Sequence, residues 1–138
     1  MIEHINYKNN ELLAIIVRNN FYSDGIEFFT PNSFSQQMGY MNRPARYKIM
    51  PHFHNKIKRE VFYTQEVLLI KKGKIRVDLY NGNQQFCESI TLNSGDVILL
   101  ASGGHGIEML EHSEIIEIKQ GPYSGDRDKT RFDGHPPD

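Results

Sequence analysis

Apolar and polar side chains alternate with a two-residue period along much of this sequence. Ile75, Val77 and Leu79 alternate with Arg76 and Asp78, and this alternation predicts a half-buried β-strand because successive strand side chains point to opposite faces. Other short stretches show the same alternation or a continuous apolar run, and both patterns predict strands. These further predicted strands cover residues 12–17, 26–30, 67–70, 86–92, 97–100, 107–110 and 115–119.

Turn residues separate the predicted strands. The pair Asn81-Gly82 is typical of a β-hairpin, and residues 93–96 combine Asn, Ser, Gly and Asp before the next apolar run. Residues 1–10 have the composition of a polar lead-in. We find no amphipathic helical period, so many short strands at near-regular spacing predict an all-β barrel or sandwich.

Length and composition are those of one globular domain. The chain has 138 residues, of which 38% are hydrophobic and 24% charged, which is enough for one buried core. We therefore expect a single domain over residues 1–138, with its strands within about 12–120 and a polar tail at 121–138.

Charge and cysteine content narrow the expected partners and compartment. The net charge of −1 does not provide the basic footprint of a nucleic-acid-binding protein, and no apolar run approaches the ~20 residues that span a membrane. The first residues are too polar for a signal peptide. The single cysteine, Cys87, cannot form an internal disulfide, so we expect a cytoplasmic protein.

Four side chains suggest a metal site. His52 and His54 would project from the same face if their segment were a strand, and Glu66 could add a carboxylate from the next strand. The glycine-rich loop at 102–106 would deliver His105. Imidazole and carboxylate groups bind zinc, iron, nickel and manganese, and this set of ligands does not select one of these metals.

In this order, the two histidines, the glutamate and the lone histidine after a Gly-Asp turn resemble the cupin superfamily. The resemblance covers roughly residues 45–120. The chain departs from the family pattern in the long stretch between His54 and Glu66, where residues 60–64 predict an extra short strand or hairpin arm, and in having Ala101 where the family has proline. Glu60 lies nearer the histidines than Glu66, but the spacing from Glu66 to Gly73 matches the family and favours Glu66.

The resemblance implies a jelly-roll, or double-stranded β-helix, barrel with a divalent metal held by His52, His54, Glu66 and His105. It also implies that strands before the histidines line the barrel mouth, where Tyr40, Arg46 and Tyr47 would bind substrate. Cupins commonly pair through sheet edges, so a homodimer is expected, with the apolar strand at 12–17 as a candidate for the exchanged or paired edge.

Several activities are compatible with this resemblance. Small cupins include isomerases, epimerases and oxygenases, so an enzyme acting on a sugar or another small polar metabolite is expected. A metal-independent nucleotide-sugar isomerase could instead use a histidine of the His52–His54 pair as general base. A binding or sensing module without turnover is the third reading, because fold alone does not fix function.

Overall fold

The computed structural model describes residues 1–8 and 11–137, and it confirms an all-β protein. A short 3₁₀ helix spans Gly125–Arg127. No helix in the described ranges is long and apolar enough to cross a membrane. The strands of these ranges are β1 Ile2–Tyr7, β2 Glu11–Val17, β3 Gly25–Phe28, β4 Gly39–Asn42, β5 Glu66–Lys72, β6 Lys74–Tyr80, β7 Phe86–Asn93, β8 Val97–Leu100, β9 Gly104–Met109 and β10 Glu114–Lys119.

The chain divides into two compact units, each described here by itself. The larger unit comprises Met1–Phe21 and Tyr63–Asp138, and the smaller unit comprises Tyr22–Phe62. That all 138 residues form a single domain stays a prediction.

The larger unit consists of two antiparallel sheets that share one core. The five-stranded sheet has the order β1-β2-β8-β5-β10, and the three-stranded sheet has the order β7-β6-β9. Their facing side chains exclude water, which is the main favourable contribution to folding. The described strands resemble a β-sandwich and close no barrel. The buried cluster comprises Ile5, Leu13, Ala14, Ile16, Leu68, Ile70, Ile75, Val77, Leu79, Ile90, Leu92, Ile98 and Leu100.

The N-terminal part of the five-stranded sheet corrects two predictions. Residues Ile2–Tyr7 form β1, paired antiparallel with β2, so the predicted polar lead-in is wrong at these positions. An edge strand can be polar because few of its side chains reach the core, and in β1 only Ile5 is buried. The predicted strand at 12–17 is confirmed, but it lies between β1 and β8 and is not the free edge that we expected.

Two predicted turns in the larger unit are confirmed. Strands β6 and β7 are antiparallel neighbours, and the Asn81 side chain closes the turn between them by accepting hydrogen bonds from the amides of Asn83 and Gln85. Before β8, the buried Asp96 carboxylate accepts hydrogen bonds from the amides of Asn19 and Asn93, each 2.8 Å long. Short polar side chains stabilise turns in this way.

The smaller unit contains one two-stranded sheet and a long exposed segment. Strands β3 and β4 pair with the register Ile26 to Met41. After them, residues 43–62 contain no strand, and each of them is exposed; we call this segment the arm. The strands predicted at His52–His54 and at 60–64 are therefore wrong in this structure, because a strand needs a hydrogen-bonded neighbour and the arm has none.

Candidate functional site

Glu66 and His105 come together at one end of the larger unit. Glu66 is the first residue of β5 and points to the same face as the buried Leu68. His105 lies on β9 opposite Leu79 of β6, on the inner face of the other sheet. The Nε2 atom of His105 is 3.6 Å from the Oε2 atom of Glu66. The prediction of a loop over 102–106 is wrong at His105, which β6 holds in a paired strand.

The surroundings of Glu66 keep its carboxylate ionised. The neighbouring imidazole of His105 lowers the pKa of Glu66 to about 2. Burial opposes this effect, whereas a side-chain hydrogen bond with Glu117 and, to a smaller extent, the charge of Lys119 opposite Glu66 on β10 also lower the pKa of Glu66. Glu66 therefore remains a hydrogen-bond acceptor throughout the neutral pH range.

The lowered pKa predicts how the stability of the protein depends on pH. A carboxyl group whose folded pKa lies below its ordinary value of 4.5 stabilises the fold above that value, and this contribution is lost as pH falls toward 2. As the pH falls from about 5 to about 2, wild-type protein should therefore lose more free energy of unfolding than the Glu66→Gln variant does. Urea unfolding at several pH values measures the difference.

A nuclear magnetic resonance titration of the Glu66 side chain checks the cause of this effect directly. The His105→Ala variant should raise the pKa of Glu66 toward its ordinary value, because it removes the largest of the lowering influences. If Glu66 titrates in wild-type protein at its ordinary value, the proposed contact with His105 is absent in solution.

A cavity of about 690 Å³ adjoins the Glu66–His105 pair. Its walls come from β6, β9 and the C-terminal segment 128–136. Phe132 holds this segment in place by packing edge-on against Tyr80, with ring centroids 5.2 Å apart, and the Thr64 hydroxyl donates a hydrogen bond to Asp128. Part of the predicted polar tail thus forms one wall of the cavity.

The cavity wall is polar, and its charges almost cancel. Asp78 is buried and accepts hydrogen bonds from Arg76 at 3.0 Å and from Ser89, while Arg76 also contacts Glu108 at 2.9 Å. Burial raises the pKa of Tyr80, so its phenol is neutral and can donate a hydrogen bond. The charged residues on the wall are Glu66, Asp78, Glu108, Asp128, Arg76, Lys129 and Arg131.

Sequence reasoning missed most of this wall. The alternation in β6 places Arg76 and Asp78 on the polar face of a half-buried strand, and it does not reveal that a distant segment covers that face. The available signal was an aromatic residue, Phe132, within a polar tail.

The remaining predicted site residues lie in the smaller unit. His52 and His54 are in the arm, with ring centroids 5.4 Å apart, and His52 Nδ1 is 2.8 Å from the carbonyl oxygen of Met50. The alternative ligand Glu60 is also in the arm, 3.9 Å from Lys58. The predicted substrate-binding residues of this unit are Tyr40 on β4 and the arm residues Arg46 and Tyr47.

Each unit contains two of the four predicted metal ligands, and these two lie close to each other. Glu66 and His105 meet in the larger unit, and His52 and His54 adjoin each other in the smaller one. Within residues 1–8 and 11–137, no group of three or more His, Cys, Asp or Glu side chains is arranged to hold a metal ion. The four-residue metal site stays a prediction.

Comparisons with known proteins add no family to this description. Neither protein-family models, nor curated proteins, nor solved structures give a match to the chain. The class that the structure defines is an all-β protein with two antiparallel sheets around one core and a polar cavity beside a glutamate–histidine pair.

Proposed function

We propose that this protein is a cupin-type jelly roll that binds a small polar metabolite, such as a sugar, and transfers a proton on it through His105 and Glu66. One observation supports the proposal above all: the Glu66 carboxylate and the His105 imidazole lie 3.6 Å apart beside a cavity that is large enough for a small molecule. The nearly balanced charges of the wall favour an uncharged, hydroxylated ligand, whose hydroxyl groups can both donate to carboxylates and accept from arginine or lysine.

The pair has the geometry of a histidine oriented by a carboxylate. Because His105 Nε2 faces Glu66, the Nδ1 atom is the ring nitrogen left to accept a proton. In an isomerase, Nδ1 would take a proton from the hydroxyl-bearing carbon next to a carbonyl group and return it to the carbonyl carbon, while the hydroxyl proton moves to the carbonyl oxygen. The Glu66 carboxylate would stabilise the imidazolium between these steps, and such acid–base catalysis contributes about 10²–10⁴ in rate.

A divalent metal would suit the donor chemistry of this site, since imidazole and carboxylate are ligands of zinc, iron, nickel and manganese. When bound, such an ion would polarise a carbonyl oxygen as a Lewis acid. Glu66 and His105 would supply two of its ligands, and the resemblance to cupins assigns the others to His52 and His54. Proton transfer by His105 as described above does not require the ion.

The test of proton transfer uses a panel of aldoses, ketoses and nucleotide-linked sugars in deuterated water. We expect wild-type protein to wash deuterium into the carbon-bound position of at least one member, as measured by nuclear magnetic resonance. His105→Ala should reduce this exchange by about 10²-fold or more, whereas His112→Ala, a histidine outside the cavity, should leave it unchanged.

The alternatives predict different outcomes of the same experiment. Loss of exchange in His52→Ala but not in His105→Ala would support the reading in which the His52–His54 pair is the base. Ligand binding without exchange would support a sensing module, and no binding of any panel member to the cavity would contradict the proposal.

The metal prediction is tested separately by elemental analysis of protein purified without added metal. If His52, His54, Glu66 and His105 share one ion, His52→Ala and His105→Ala should each lose it, because removal of one ligand weakens a site markedly. The control His112→Ala should retain it. Stoichiometric metal in both ligand variants, with unchanged circular dichroism, would remove the four-residue site.

A further inference from the structure

The C-terminal segment 128–136, which we call the strap, forms one wall of the cavity in the larger unit. Most of its residues are exposed, and only Phe132 and Pro136 are half-buried. Within the described residues 1–8 and 11–137, residues 129–136 belong to no strand and make no backbone–backbone hydrogen bond. A segment with so little buried surface and no hydrogen-bonded backbone can open locally while the strands beneath it stay paired.

Phe132 makes the closest aromatic contact between the strap and the sheet below it. Its ring packs edge-on against Tyr80, with ring centroids 5.2 Å apart. The same ring lies so close to Gly104 of β9 that a methyl group on this glycine would come within 2.8 Å of it. A methyl group on Gly134 of the strap would come within 2.3 Å of the Tyr80 hydroxyl oxygen. The strap can therefore lie in this position only because both residues are glycine.

The other polar contacts of the strap lie at the surface. The hydrogen bond from Thr64 to Asp128 is exposed, so water can replace either partner. Arg131 lies 3.2 Å from Asp126, but both side chains are exposed, and exposed ion pairs contribute little to stability. The contact between Phe132 and Tyr80 is therefore the one that mainly keeps the strap in place.

The strap also supplies much of the charge of the cavity wall. The strands contribute three carboxylates and one arginine to the wall, and the strap adds one carboxylate and two cations. A hydroxylated ligand can therefore accept hydrogen bonds from these two cations only while the strap is in place. The strand residues are Glu66, Asp78, Glu108 and Arg76, and the strap residues are Asp128, Lys129 and Arg131.

From these observations we infer that the strap acts as a lid, that Phe132 is its latch, and that a ligand in the cavity holds it closed. Opening uncovers Tyr80 and the strand side of the cavity, and closure completes the wall around the ligand. Because the ligand contacts the strap only in the closed form, binding shifts the population toward that form. The part of the inference that concerns the ligand rests on the proposed function, whereas the opening itself requires no ligand.

Nitration of tyrosine by tetranitromethane measures the opening. Tyr80 is 4% exposed and Tyr123 is 91% exposed, so in wild-type protein Tyr80 should react much more slowly than Tyr123, as quantified for each residue by mass spectrometry of peptides. Phe132→Ala should accelerate nitration of Tyr80 about tenfold or more, because the strap is then open for a larger fraction of the time. Tyr123 is the internal control, and its rate should not change.

A second variant opens the strap without removing the aromatic latch. Gly134→Ala places a methyl group against the Tyr80 hydroxyl, so it should also accelerate nitration of Tyr80. The matched control is Gly106→Ala on β9, because a methyl group at Gly106 has no neighbouring atom within 4 Å. This control should leave nitration of Tyr80 at the wild-type rate. Circular dichroism checks that all variants are folded.

Urea distinguishes a lid from a fixed wall. Local opening exposes little surface, so low concentrations of urea should hardly change the nitration rate of Tyr80 in wild-type protein. A rate that rises with urea in parallel with global unfolding would overturn the inference, since the strap would then open only with the whole unit. Unchanged nitration of Tyr80 in both Phe132→Ala and Gly134→Ala would also overturn it.

The role of the ligand is tested with any sugar of the panel that shows deuterium exchange with wild-type protein. Such a sugar should slow nitration of Tyr80 and leave that of Tyr123 unchanged. A sugar that exchanges deuterium but does not protect Tyr80 would overturn the coupling between ligand and strap. If no sugar exchanges deuterium, the proposed function fails, while nitration of the variants without ligand still decides whether the strap opens.

Discussion

Replacing Asp96 with alanine should reduce the free energy of unfolding by about 2–6 kcal/mol, since two backbone amides lose a buried acceptor and each such loss costs about 1–3 kcal/mol. The Asp96 side chain is only 3% exposed and lies 3.1 Å from an amino group of Arg18. It also accepts hydrogen bonds from the amides of Asn19 and Asn93. The substitution would leave these donors inside the turn without their acceptor, and each lost partner adds to the cost.

The matched control for this prediction is Asp126→Ala. Asp126 also contacts an arginine, Arg131, at 3.2 Å, but both side chains are exposed. Exposed pairs contribute about 0–1 kcal/mol, so this substitution should have little effect in urea unfolding at neutral pH. Equal losses in the two variants would show that burial of Asp96 is not what gives its contacts their strength.

Leu79→Ala should cost about 2–5 kcal/mol, because it removes buried methyl groups and leaves a cavity that the neighbours only partly fill. Leu79 is fully buried in the core between the two sheets. It also lies opposite His105 in the β6–β9 pair, so the same substitution should increase the mobility of His105. Chemical denaturation measures the first effect, and line widths of the His105 ring resonances measure the second.

Leu110→Ala is the control for the core substitution. Leu110 follows β9 directly and is 43% exposed, so its truncation removes little buried surface and should change stability by roughly 0.5 kcal/mol or less. A loss at Leu110 comparable to that at Leu79 would mean that the region after β9 is buried in solution.

The features that could be predicted from sequence are those encoded by neighbouring residues. The alternation in β6 and β7, the Asn81 turn between them and the Gly95-Asp96 turn depend on side chains a few positions apart, and local patterns report such structure well. Pairing between distant segments is not encoded in this way. The strand assignment of His52–His54 failed because periodicity indicates a possible strand but not whether an edge is available to it.

The same distinction applies to the candidate site. The spacing of Glu66 and His105 and their resemblance to the cupin pattern predict that they belong to one site, and the structure places them side by side. Arg76, Asp78 and the C-terminal wall were not predicted, because their role depends on Phe132 packing on Tyr80. A tertiary contact of this kind leaves no periodic signal in sequence.

The strand order of the five-stranded sheet has a consequence for the rate of folding. Its central pairs join segments that are far apart in the chain, with Ala14 opposite Leu100 in one pair and Glu66 opposite Leu100 in the other. The β6–β7 hairpin, by contrast, requires only the closure of a short turn. Since the entropy of closing a loop must be lost before distant strands gain contacts, the hairpin can form on the microsecond scale while the sheet assembles orders of magnitude more slowly. During that interval the edge of β8 that pairs with β2 is uncovered, so the chain is most prone to aggregation before β2 pairs with this edge.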